Sequence, residues 1–125
     1  MFELSEEEFR EVVARALDDL PEEFASKLDN VDVVVEDYPP EEIRRRTRRG
    51  TLVLGLYHGI PHKGRGPFYG QHQIVFPDRI SLYKKNIEAV SASREQVYQQ
   101  IRKTLLHEIG HHFSMKDKDL RDIGW

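Results

Sequence analysis

The chain reads as an α+β domain, with an amphipathic helix at the start, a mixed sheet of about three or four strands, and a longer helix near the end. Three patterns predict it. Apolar residues recur at helical spacing over residues 5–20 and again over 94–113. Between them lie short β-branched or alternating runs, set apart by breaks rich in proline and glycine. Helices segregated to the two ends of a group of strands mark α+β rather than repeated βαβ units. At 125 residues there is room for one modest core, so residues 1–125 are expected to form a single domain.

The first helix has a sequence-encoded start. Ser5 stands as N-cap with Glu8 three residues on, a capping box, and Phe9, Val12, Val13, Ala16, Leu17 and Leu20 form an apolar stripe that should cover a sheet. Pro21 ends it, and residues 21–28 suit a short second helix, since proline is tolerated in a first turn. Val31–Glu36 reads as a strand, broken by Asp37-Tyr38-Pro39-Pro40. Five arginines in six positions follow, Arg44 to Arg49 around Thr47. Such a run suits a phosphate or nucleic-acid contact, but it also suits a solvated loop or helix face balanced by Glu41 and Glu42. The solvated reading is preferred, because no aromatic residues interleave as a stacking platform requires.

Thr51–Tyr57 is expected to be a second strand, and His58–Gly70 a long loop carrying His58 and His62. Gln71–Phe76 reads as a third strand, stopped by Pro77-Asp78, and Arg79–Tyr83 as a fourth, paired with it as a hairpin. Asn86–Ser93 is expected to be a linker.

Composition excludes several classes of function. No apolar run approaches the roughly 20 residues that span a bilayer, and the acidic start lacks the basic and apolar regions of a signal peptide. There are no cysteines, hence no disulfides or thiolate metal sites, which fits a cytoplasmic location. A net charge of −3 argues against non-specific nucleic-acid binding by the whole domain.

Histidine carries the functional signal. Three of the six histidines fall within six residues, in His107-Glu108-Ile109-Gly110-His111-His112. The pattern is H-E-x-x-H, and it lies in a helix predicted to run from about Arg94 to about Phe113, with Ser93 as N-cap and Gln96 at the capping-box position. Side chains four apart on a helix share a face, so His107 and His111 can aim two imidazoles at one zinc ion. Glu108, offset by about 100°, can reach a water on that ion without binding the metal, where a general base belongs. Val97, Tyr98, Ile101, Leu105, Leu106, Ile109 and Phe113 form one apolar arc, with the histidine pair just outside its border. His112 points into the arc, as a partly buried, hydrogen-bonded histidine rather than a ligand of the same ion. Gly110 costs roughly 1 kcal/mol of helix stability relative to alanine. A catalytic zinc usually takes three protein ligands. After His111 the acids are Asp117, Asp119 and Asp122; Asp117 is chosen because six residues let the chain leave the helix, turn and return.

The string from His107 through Phe113, Ser114 and Met115 to Asp117 resembles the metzincin-type signature H-E-x-x-H-x-x-G-x-x-H/D. More closely it resembles the small bacterial minimal zincins, zincin-like metallopeptidases with aspartate in the last place; the terminal Asp119–Trp125 also resembles the end of that family. The resemblance implies His107, His111 and Asp117 as zinc ligands and Glu108 as catalytic acid/base. The chain departs from the signature at Ser114, where glycine suits a positive φ. No methionine turn fits into the eight residues after Asp117, and Met115 lies inside the motif.

The expected function is zinc-dependent hydrolysis of a peptide or protein substrate, with a strand such as Thr51–Tyr57 pairing with an extended peptide beside the helix. Tyr57, His58 and His72 are candidates to stabilise the oxyanion. The competing expectation is a zinc-stabilised binding or regulatory module without turnover, since so small a domain offers little surface for pockets.

Overall fold

The computed structural model describes residues 2–59 and 78–113. Along the chain come helix α1 (Glu6–Asp18), a short α2 (Glu22–Ala25) continued by a 3-10 turn, strand β1 (Val31–Glu36) and helix α3 (Glu41–Arg46). Strands β2 (Gly55–His58) and β3 (Asp78–Tyr83) follow, then helices α4 (Lys84–Ala89) and α5 (Arg94–His112). The architecture is α+β, with a three-stranded mixed sheet in the order β1-β3-β2. β1 runs parallel to β3, from Val31 opposite Asp78 to Glu36 opposite Tyr83. β2 runs antiparallel to β3, from Gly55 opposite Leu82 to His58 opposite Arg79. As the central strand β3 is enclosed on both faces, and Ile80, Ser81, Leu82 and Tyr83 are all buried.

α1 begins as the capping box dictates. Ser5 Oγ accepts from the Glu8 N–H at 3.1 Å and Glu8 Oε1 accepts from the Ser5 N–H at 3.0 Å. Its Phe9, Val12, Val13 and Ala16 are buried against Val97, Ile101, Leu105 and Ile109 of α5 and Ile80 and Leu82 of β3, in one core with Phe24 and Ile87. Each large side chain so enclosed contributes about 1.5–3 kcal/mol relative to exposure. Among the described residues no helix is long and apolar enough to cross a membrane.

The middle of the chain departs from expectation in three places. Of Thr51–Tyr57 only residues 55–57 join the sheet; the strand extends one residue further, so His58 ends β2 instead of opening a loop. Leu54 O still accepts from the Tyr83 N–H at 2.9 Å, and Val53 O, facing away from β3, accepts from the Asn86 side-chain amide, also at 2.9 Å. β3 starts at Asp78, read from sequence as a turn residue, because the Asp78 N–H reaches Asn30 O at 3.2 Å and so begins the pairing with β1. The expected linker Asn86–Ser93 is instead helical to Ala89 as part of α4. Its polar residues hid the helix: Lys84 and Glu88, one turn apart, are buried and pair at 2.9 Å, and Glu88 Oε2 also accepts the Leu4 N–H at 2.8 Å. The expected strand Gln71–Phe76 and its hairpin lie outside the described residues.

The arginine run is partly helical, as the solvated reading allowed. In α3, Arg45 pairs with Glu41 at 3.0 Å and Arg46 with Glu42 at 2.9 Å, both on an exposed face.

Candidate metal centre

α5 positions the candidate residues, and its start is local chemistry. Ser93 Oγ accepts from the Gln96 N–H at 3.1 Å, and Gln96 Oε1 accepts from the Ala92 N–H at 2.6 Å, one residue earlier than a standard capping box. The apolar arc is seated as its spacing requires: Val97, Tyr98, Ile101, Leu105, Leu106 and Ile109 are buried, and Phe113 packs at the edge of the core.

The helix lies tight against β2 because of one glycine. A Cβ on Gly55 would stand 2.6 Å from Thr104 Cγ2 and 2.9 Å from Ser81 O, so no larger residue fits without displacement. One helical turn beyond Thr104, Glu108 Oε1 accepts the Tyr57 N–H at 2.9 Å. Four helical residues advance about 6 Å and two strand residues about 6.7 Å, so the two contacts keep step along parallel elements. The strand pairing provides the amide. Since Leu54 and Tyr83 are a hydrogen-bonded pair, alternation along an antiparallel ladder turns the Gly55 and Tyr57 N–H groups away from β3, toward α5.

His107 and His111 stand together on the helix, ring centroids 4.1 Å apart and planes inclined at 29°. His107 is half-buried and His111 exposed. Burial, and then the neighbouring His111, push the His107 pKa below the ordinary imidazole value, while Glu108 opposes the shift. The favoured form is therefore neutral imidazole, the form that donates to a metal. Two imidazoles on one helix face suit zinc. No group of three or more potential ligands converges among the described residues, and Asp117 lies outside them. The third donor is thus not placed by the structure, nor is the turn at Ser114 or Met115.

His112 faces elsewhere, as its angle on the helix implies. It stacks on Tyr57 with centroids 3.7 Å apart, and its Nε2 is 3.9 Å from Asp78 Oδ2. Tyr57 Oη donates to that same oxygen at 2.8 Å, and Phe113 meets the Tyr57 ring edge-on. Tyr57 therefore binds the end of α5 to the sheet through ring and backbone, while its hydroxyl ties β2 to β3 at Asp78. Of the other oxyanion candidates, His58 has a buried Nε2 without a hydrogen-bond partner among the described residues, and burial followed by Arg79 lowers its pKa. His62 and His72 lie outside the described residues. Sequence reasoning missed Asp78 and the Tyr57 amide; the lone glycine in an apolar strand pattern was the available sign of a close backbone approach.

Beside the histidines a cleft of about 350 Å3 opens between α5 and residues 52–55, with His107, Glu108, Thr104 and Lys103 on the helical side. The family model for zincin-like metallopeptidases matches residues 28–125. A solved structure of a conserved hypothetical protein from Thermo thermophilus is 26% identical, over 88% of this chain and 94% of that one, with a TM-score of 0.57. A search of curated proteins finds no match. The family match takes in β1, the cleft wall and the whole of the H-E-x-x-H helix, well over half of the sequence, so the chain belongs to the zincin-like metallopeptidases.

Proposed function

We propose that this protein hydrolyses peptide bonds, with Glu108 as general base and a zinc ion held by His107, His111 and Asp117. The observation that carries the reading is the Glu108 carboxylate, fixed through Oε1 by the Tyr57 amide at the edge of a cleft that His107 also lines. Bound there, the ion would supply the Lewis acidity that brings a water's pKa close to neutrality. With Oε1 engaged, Glu108 takes the water's proton at Oε2 and passes it to the leaving amine nitrogen. The Tyr57 N–H, donating to the same carboxylate, keeps it oriented through both transfers. An extended substrate lies between α5 and residues 52–55, where it can use backbone groups of that wall.

Metal analysis of the purified protein and two variants tests the assignment. Zinc should be retained in Glu108→Ala and lost in His107→Ala. Cleavage of a broad peptide library should occur in wild type and vanish in Glu108→Gln. A wild-type protein without bound zinc ends the proposal; zinc without cleavage replaces it with a metal-stabilised binding module.

A further inference from the structure

A second cavity, of about 320 Å3, adjoins the cleft. The two share Leu52 and Val53, so the segment that walls the histidine cleft is also a rim of the second space. Arg44, Arg48 and Arg49 line that space, with Tyr38. The arginines divide by position. Arg45 and Arg46 answer Glu41 and Glu42 on the outer face of α3, whereas Arg44, Arg48 and Arg49 form no ion pair among the described residues. Three like charges around a concavity concentrate a positive field that an anion would relieve. Lys103, on the α5 side of the neighbouring cleft, extends the same sign toward Glu108.

The surface is also apolar. Of the three large hydrophobic residues exposed among those described, Tyr38 at 58% and Leu52 at 46% both line this cavity, while Val90 lies elsewhere. Its occupant should therefore carry negative charge and apolar surface together, along a chain continuous with the cleft. That combination favours a peptide over nucleic acid, which would need a longer basic track and more stacking rings.

We infer that the Arg44–Arg48–Arg49 cavity is a specificity subsite, taking acidic side chains of an extended peptide whose reacting segment lies against His107 and Glu108. The inference rests on the peptidase reading for the adjoining cleft, yet its test uses binding alone. The full-length Glu108→Gln protein is titrated into fluorescein-labelled decapeptides with a central Leu-Ala pair and three glutamates on one side or the other, and into their glutamine counterparts, followed by anisotropy. For one of the two orientations the glutamate peptide should bind about tenfold more tightly at low salt, the sum of three partly exposed ion pairs. Added salt should shrink that preference. It should disappear in Arg44→Gln/Arg48→Gln/Arg49→Gln and persist in Arg45→Gln/Arg46→Gln. Equal binding of glutamate and glutamine peptides overturns the inference, as does a preference that survives the triple substitution. Displacement of the glutamate peptide by lower concentrations of oligothymidylate also overturns it, in favour of nucleic acid. A preference that depends on the three arginines supports the subsite even where wild type cleaves neither peptide, an outcome that counts only against hydrolysis.

Discussion

Substituting Gly55 by alanine tests the close approach that seats the candidate site. The new Cβ would meet Thr104 Cγ2 at 2.6 Å, Ser81 O at 2.9 Å and Leu82 Cδ2 at 3.4 Å. The first contact is a methyl group on a helix packed in the core, and the second is backbone of the central strand, so neither yields cheaply. Overpacking of this kind costs about 1–3 kcal/mol. Alanine also restricts the unfolded chain, which offsets about 0.4–1 kcal/mol where the native conformation suits it. The net expectation is a loss of about 1–2 kcal/mol, or about 3–8 °C in Tm for a chain of this size. Urea denaturation followed by circular dichroism, at equal protein concentration, measures it. Thr104→Ser deletes the clashing methyl and keeps the hydroxyl that donates to Gln100 O at 2.7 Å. Combined with Gly55→Ala it should recover part of the loss, with the Ser81 O contact remaining. A Gly55→Ala protein as stable as wild type, or a double variant no better than the sum of its parts, would refute the packing argument.

Lys84→Met should cost about 3 kcal/mol in the same urea assay, the low end for a broken buried pair, because Lys85 Nζ at 3.9 Å and the Leu4 N–H still face the buried Glu88 carboxylate, whereas Lys84→Met/Glu88→Met should cost less. Ser5→Ala removes an N-cap and should lower stability by about 1 kcal/mol, while Glu3→Ala, outside the box, should not. Tyr57→Phe removes the hydroxyl that donates to Asp78 Oδ2 and should cost about 1 kcal/mol, with the backbone amide still on Glu108. The folded His58 pKa lies below its unfolded value of 6.5, so below that value the unfolded chain takes up the proton first. Stability of the metal-free protein should therefore decline as pH falls from about 6.5 through the folded pKa, and His58→Gln should flatten that slope in urea titrations at stepped pH.

What could be read from the chain alone depends on how far apart the interacting groups are. Both long helices were legible because their determinants are local: Ser5 with Glu8, Ser93 with Gln96, and apolar residues three and four apart. The shared face of His107 and His111, and the divergent direction of His112, follow from the same period. α4 was missed because its polar residues look solvent-bound until Leu4 and Lys84 meet Glu88 in the interior. Thr51–Val53 read as strand because β-branched and apolar residues suit one; β3 gives way to α4 at Lys84, so no residue of β3 stands opposite them, a tertiary fact outside any short window.

Periodicity and capping by themselves determined an α+β chain with an H-E-x-x-H helix half sunk in its core. Only the tertiary structure decided that β1 would pair parallel to β3, that Gly55 would admit Thr104, and that the Tyr57 amide would hold Glu108. Helical contacts span three or four residues and are written into a short window of sequence. The Tyr57–Glu108 bond spans 51 residues and exists only because β2, set by its register on β3, presents that amide to the helix.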